Sequence, residues 1–289
     1  MPTTSVRDTT LYCARTGTGP QLVFIHGMCG DADVWRGQVD RLADRFTCIT
    51  YDRRGHTRSA PGTEPESVET HAGDAAALIE AMHLSRPVVV GSSGGARIAV
   101  ELARTRPELI AGVILSEPPI FTLEPEAGQA FMSEIGSVVA PAAKSGGPRA
   151  AVDAFFPLVC PGLWSQLAEA GRERLRANGH MMLAEFAGRP YVLDRTQAAG
   201  IDVPTLVIAG TTSHPALRAI AGTLARTLPD ARLVELDGSG HVTYFERPDE
   251  FAEAVCDFAR HLGMVTDPPA LDIDAPAATE GQLEARSTA

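Results

Sequence analysis

The sequence predicts an α/β protein: a mostly parallel sheet with helices on both faces and a helical cap inserted between two of its strands. Three observations carry that prediction. Short apolar runs alternate with amphipathic segments in the β-α-β-α order of a parallel sheet. One run, Pro87-Val88-Val89-Val90, turns through Gly91-Ser92-Ser93-Gly94-Gly95 into a helix-like stretch. From about Pro119 to Gly200 the alternation stops and only helical pieces recur.

Taken in order, Leu11–Ala14 reads as an early strand that ends at Gly17-Thr18-Gly19-Pro20. Leu22-Val23-Phe24-Ile25 is apolar throughout, as a strand buried on both faces requires. Val34–Ala43 has helical spacing, Phe46–Tyr51 is a strand, and Val68–Met82 is a helix with Ala75, Leu78, Ile79 and Met82 on one side. Val88–Val90 leads into the serine turn, Ala96–Arg104 is the next helix, and Ile110–Leu115 the next strand. The interruption then offers Gly128–Val139, Arg149–Phe156, Leu163–Ala177 and Met181–Phe186 as helices, punctuated by proline and glycine. Alternation resumes with strand Thr205–Ala209, helix Pro215–Leu228, strand Arg232–Leu236 and helix Pro248–Leu262. The expected domains are a core from residues 1–118 and 201–263 and a cap at 119–200 over the carboxyl edge, where open sheets bind ligands. An acidic, Pro/Ala-rich tail at 264–289 has no apolar period and reads as a flexible appendage.

An apolar content of 44% and a charged content of 21% are globular values, and a net charge of -11 argues against nucleic acid or an anionic membrane as partner. No apolar run approaches the ~20 residues that span a bilayer, and the N-terminus shows no apolar signal core. The 5 cysteines have no C-x-x-C spacing, which fits a reduced, cytoplasmic protein with free thiols. Cys13, Cys48 and Cys256 sit in strand- or helix-like runs as small core residues. Oligomeric state is not legible.

Chemistry concentrates at the strand ends. Strand, sharp turn and helix make Gly91–Gly95 a nucleophile elbow with Ser93 as its central serine. The alternative is a Gly/Ser-rich loop that binds a phosphate or nothing. A serine nucleophile needs a base, and His241, in Gly238-Ser239-Gly240-His241 after the last strand, is in the right place and order. It also needs an oxyanion hole, expected from the N–H groups of Gly94 and of Met28 in His26-Gly27-Met28-Cys29-Gly30. Gly27 permits close approach to the site. Cys29 lies beside it, as a small filler rather than a second nucleophile, and Gly27 and Cys29 are both expected to border bound substrate. No histidine pair has the spacing of a metal motif, and neither metal nor cofactor is expected.

These motifs, in this order, resemble the α/β-hydrolase superfamily over about residues 5–263: His26-Gly27, Tyr51-Asp52-Arg53-Arg54-Gly55-His56-Thr57-Arg58-Ser59, Gly91–Gly95, and Gly240-His241 with Arg247-Pro248 and Phe251. The resemblance implies the α/β-hydrolase fold, a catalytic triad and a small-molecule substrate. It also implies an aspartate after strand Thr205–Ala209, where this chain instead reads Gly210-Thr211-Thr212-Ser213-His214-Pro215. Glu117, in Ser116-Glu117-Pro118, is the candidate replacement, because some branches place their acid after the strand that neighbours the elbow, and in one of them, the zearalenone-type lactone hydrolases, that acid is a glutamate. The other reading of Glu117 is a solvated strand end. His214 is a helix-start residue or a substrate or Glu117 contact, and Asp52 and Arg53 are loop organisers. Of the large apolar residues in the cap, Trp164, Met181 and Met182 are the preferred lining of an apolar cleft. The expected activity is that of a serine esterase or lactonase. Carbon–carbon bond hydrolysis, a lyase or cyclase reaction, a haloperoxidase-type side reaction and a ligand-binding pseudoenzyme stay open on the sequence, while epoxide hydrolase and dehalogenase chemistry is disfavoured because those branches carry aspartate in place of Ser93.

Overall fold

The computed structural model describes residues 2–265, so the expected tail lies outside the described residues from 266 onward. Eight strands form one sheet: β1 (Thr3–Val6), β2 (Thr9–Thr16), β3 (Gln21–Ile25), β4 (Thr47–Tyr51), β5 (Val88–Ser92), β6 (Gly112–Ser116), β7 (Thr205–Gly210) and β8 (Ala231–Leu236). Their order is β1-β2-β4-β3-β5-β6-β7-β8. The first two run antiparallel to their neighbours and all others are parallel. The sequence hid β1 because it is an edge strand: among Thr3, Thr4, Ser5 and Val6 only Val6 is buried.

Helices α1 (Arg36–Leu42), α2 (Val68–Ala81) and α3 (Gly94–Thr105) follow the early strands. Side chains alternate across the sheet. Leu22 and Phe24 join Trp35, Leu42, Phe251 and Phe258 on one face, while Val23 and Ile25 join Leu78, Ile98 and Ile220 on the other. That is why β5, β6 and β7 are buried at every position.

Between β6 and β7 lie α4 (Pro125–Val159), α5 (Pro161–Gln166), α6 (Glu169–Ala177), α7 (Gly179–Ala187) and α8 (Arg195–Ala199). Helix α4 breaks at Gly147, where a φ of 69° leaves the helical region ahead of Pro148. A single helix over Leu163–Ala177 does not form; Leu167 and Ala168 are extended and separate α5 from α6. Arg172 compensates by donating to the Trp164 carbonyl at 2.9 Å and lying over the Trp164 ring. The insertion packs on the carboxyl-edge loops, with Phe131, Val152 and Phe155 in one cluster with Cys29, Leu217 and Val242. Helices α9 (Pro215–Thr227), α10 (Thr243–Glu246) and α11 (Pro248–His261) complete the chain. Among the described residues, no helix is long and apolar enough to cross a membrane.

Candidate active site

Strand register brings the site together. Ser92 pairs with Ser116, so Ser93 and Glu117 are each the first residue past the end of adjacent strands. Backbone bonds hold both there: Ser93 N–H donates to the Ser116 carbonyl and Glu117 N–H to that of Ile208, each at 2.9 Å. Both residues have a φ of 53°, in the left-handed region that glycine favours. Such a conformation costs on the order of 1–3 kcal/mol for other residues and persists only where the surroundings enforce it. At Ser93 the enforcing elements are β5 and α3, which the elbow joins without spare length. A Cβ on Gly95 would stand 2.2 Å from the Ile25 carbonyl oxygen, so only glycine lets α3 start this close to β3.

His241 reaches the same edge from the loop after β8. A Cβ on Gly210 would lie 2.3 Å from the carbonyl oxygens of both Ser239 and Gly240, so glycine lets this loop close down on the end of β7. Glu246 accepts from Gly240 N–H at 2.6 Å, and the Thr243 hydroxyl meets that of Ser116 at 2.7 Å. The His241 Nε2 is 3.0 Å from Ser93 Oγ and its Nδ1 is 3.3 Å from Glu117 Oε2. Glu117 is fully buried. Its Oε1 accepts from Gly210 N–H at 2.7 Å and its Oε2 from the Ser213 hydroxyl at 2.6 Å. Both of these partners are donors, so the carboxyl is arranged as an acceptor and the proton between it and His241 belongs on Nδ1. Nε2 is then left to accept from Ser93. Ser213 occupies the position where the family resemblance implies an aspartate, and its hydroxyl donates to the Glu117 carboxylate.

Met28 and Gly94 converge beside Ser93: a Cβ on Gly94 would be 3.6 Å from the Met28 nitrogen. Gly27 backs onto the elbow, its own missing Cβ only 3.2 Å from Ser93 Cβ. His26 fixes this loop. It donates from Nδ1 to the Gly27 carbonyl at 2.8 Å and accepts at Nε2 from Arg53 N–H at 3.0 Å. Burial, with Arg53 nearby, pulls its pKa down to about 3, so it is neutral. Asp52 braces the neighbouring loop, accepting from Ala32 N–H at 2.7 Å and pairing with Arg58.

Two features escaped the sequence reading. Asn178, buried between α6 and α7, donates to the Gly30 carbonyl at 3.0 Å and the Cys29 carbonyl at 3.2 Å, and accepts from Thr57 N–H at 3.0 Å. It ties the insertion to the loop that carries Met28. Glu185 of α7 pairs with Arg53 and, at 3.2 Å, with Arg97, and its Oε2 lies 3.6 Å from where a Gly94 Cβ would be. Both contacts cross from the insertion to the core over long sequence separations, and no local pattern marks them.

Of the anticipated lining residues, Gly27 and Cys29 border the space in front of Ser93. Cys29 is buried, and that burial pushes its thiol far above the ordinary range. Trp164, Met181 and Met182 do not border it. The Trp164 ring stacks on Phe156 and under two arginines, Met181 covers Gly55, and Met182 is wholly buried. His214 accepts from Ala216 N–H at the start of α9 and stacks on Phe131, with no contact to Glu117. The walls come instead from Phe121, Phe131, Phe155, Phe156 and Phe186. Among the described residues, no group of three His, Cys, Asp or Glu side chains is arranged to hold a metal ion.

Comparison with known proteins agrees with this architecture. Residues 20–248 match the model of the family described as the alpha/beta hydrolase fold. A protein of Azorhizobium caulinodans provisionally assigned as the carbamate hydrolase RutD is 29% identical over 272 residues, 91% of this chain and 99% of its own. The enol-lactonase of Burkholderia xenovorans LB400 superposes with a TM-score of 0.68 at 27% identity, covering 90% of this chain and 100% of its own. A thermophilic esterase from Thermogutta terrifontis shares the fold, with a TM-score of 0.76 at 24% identity over 91% of this chain and 99% of its own. The chain belongs to the α/β-hydrolase fold family and is a hydrolase of that fold.

Proposed function

We propose that this member of the α/β-hydrolase fold family is a serine hydrolase that cleaves a carboxylic ester or lactone of an apolar small molecule through an acyl-enzyme. The observation that carries the reading is the chain of contacts from Ser93 Oγ through His241 to the buried Glu117 carboxylate. In the proposed reaction Ser93 Oγ attacks the carbonyl carbon as its proton passes to His241 Nε2. The N–H groups of Met28 and Gly94 hold the oxyanion. His241 returns the proton to the departing alkoxide oxygen, and water repeats the sequence to release the acid and free Ser93. Glu117 keeps the imidazole in the Nδ1–H tautomer and balances the imidazolium charge. Ser213 and the Gly210 N–H orient Glu117, and Asn178 holds the loop that presents the Met28 N–H. Residues 119–200 serve as the cap that closes the site from water.

The relatives' names, a carbamate hydrolase and an enol-lactonase, share attack on an acyl carbon and support the same class of reaction. The test is turnover of p-nitrophenyl butyrate with and without Ser93→Ala. The reading expects hydrolysis by the natural chain and a background rate in the variant; a variant as active as the natural chain overturns it.

A further inference from the structure

We infer that the substrate is an open-chain, uncharged ester with two sizeable apolar arms, one on each side of the scissile bond. The inference rests on the serine-hydrolase reading and narrows it. Ser93 does not stand at the end of one blind pocket. Two cavities meet at it, and both are bordered by Met28, Ser93, Phe155 and His241. One, of about 440 Å³, runs between Cys29, Phe156, Leu163, Leu167, Leu175 and Tyr244. The other, of about 470 Å³, runs between Phe121, Phe131, Met132, Ile135, Phe186 and Leu217. The oxyanion donors sit at the junction, because Met28 borders both and Gly94 borders the second.

An ester carbonyl placed at that junction projects its acyl chain and its alkoxy chain in different directions once its carbon becomes tetrahedral. The two cavities are nearly equal in size, and each alone falls within the range of a small-molecule site. An acetyl group leaves one of them unfilled. A small-ring lactone, whose two arms are tied together, also occupies only one. Burial of apolar area then favours a substrate with substance on both sides.

The charged side chains bordering the cavities point to a neutral occupant. Asp31 and Asp33 pair with Arg174 at 2.5 and 3.2 Å, and Arg41 pairs with Asp249 at 2.6 Å. Arg97 and Glu185 pair at 3.2 Å. Asp31, Arg97 and Glu185 are the largely buried members, and a charged ligand that broke their pairs would leave a buried charge without a partner, while the Arg41–Asp249 pair lies toward solvent.

The experiment measures kcat/KM by pH-stat for methyl acetate, methyl hexanoate, hexyl acetate, hexyl hexanoate and γ-butyrolactone. Hexyl hexanoate is expected to exceed either one-armed ester by about tenfold or more, the scale on which apolar pockets discriminate chain length. Leu167→Trp narrows the first cavity and Met132→Trp the second. Each is expected to erase the gain from one end of the ester and spare the gain from the other. Leu167→Phe and Met132→Phe, read with thermal unfolding, supply milder versions in case the larger side chain disturbs folding. The inference is overturned if the second arm brings no gain, if both fillings erase the same gain, or if γ-butyrolactone outruns hexyl hexanoate. Ser93 labelling by a fluorophosphonate runs alongside. Labelled Ser93 with the wrong chain-length pattern sinks only this inference, whereas no labelling and no ester turnover sinks the serine-hydrolase reading with it.

Discussion

The carboxyl edge of the sheet and the helical insertion above it are both built around Ser93, but under different rules. At the edge, hydrogen-bonded register does the positioning. Ser92 opposite Ser116 puts Ser93 and Glu117 side by side, and the Gly210 pairing with Leu236 brings the His241 loop to the same end. In the insertion, side-chain contacts, from the packed phenylalanines to the Asn178 hydrogen bonds and the Glu185 ion pairs, decide which faces turn toward the cleft. Phe155 and Phe156 are neighbours in sequence, yet Phe155 borders both cavities and Phe156 one. The proposed reacting groups therefore sit at the ends of the hydrogen-bonded ladder or in the loop beside it, and the shape of the cleft is left to the part of the molecule whose packing is freer to vary.

The sharpest way to break this contrast is at the edge. Ser93→Ala is expected to lower kcat by roughly 10⁵–10⁶-fold while leaving the unfolding midpoint in urea close to that of the natural chain. Glu117→Gln is expected to cost about 10⁴-fold in kcat, the scale of a mis-set histidine tautomer in the serine-protease case. Near-natural turnover in Glu117→Gln would remove that residue from the proposed triad.

A stability measurement reads the neutral histidines beneath the site. The folded-state pKa of His26 is depressed to about 3 and that of His56 lies well below its ordinary value, in both cases chiefly because burial disfavours the charged form. The unfolded chain therefore binds their protons first as pH falls. Their stabilisation is fully present above pH ~6.5 and falls as pH drops below that, at about 1.4 kcal/mol per pH unit for each histidine until its folded pKa is reached, about 3 for His26. Urea titrations at pH 7.5, 6 and 5 read this slope; a flat profile would show that both take up protons while folded, and half the slope that one of them does.

Asn178 tests the seam between the two regions. Asn178→Asp keeps the shape but sets a carboxylate against the Cys29 and Gly30 carbonyls. A displaced Met28 N–H is expected to lower kcat by about 10–100-fold with KM little changed. Equal loss in kcat and stability, with KM rising, would make Asn178 a merely structural clamp. The smallest effect on turnover is expected within the insertion: Trp164→Ala, off the cavity walls, should cost roughly 1–3 kcal/mol of stability and change kcat/KM less than about threefold. A large change in substrate preference would place Trp164 in the cleft after all.

The same contrast explains what the sequence disclosed. Ser93, His241, Met28 and Gly94 each stand just past or soon after an apolar strand run, so finding the strands located them at one edge. Glu117 also follows a strand, but proposing it needed the family resemblance and the missing aspartate at Ser213. Size and apolarity single out Trp164, Met181 and Met182, but a wall residue and a core residue share those properties. Asn178 and Glu185 touch the edge only through the tertiary docking of α7, a relation that no local period encodes. The break between α5 and α6 has no proline or glycine at Leu167 or Ala168 to announce it.

The central claim is that Ser93 is the nucleophile and that His241 and Glu117 activate it. Its most direct test is fluorophosphonate labelling followed by peptide mass mapping of the natural chain and the Ser93→Ala and Glu117→Gln variants. The account predicts one stoichiometric adduct on the peptide carrying Ser93, none in Ser93→Ala, and labelling slowed by orders of magnitude in Glu117→Gln. An adduct on any other residue, or labelling of Glu117→Gln at the natural rate, would contradict it.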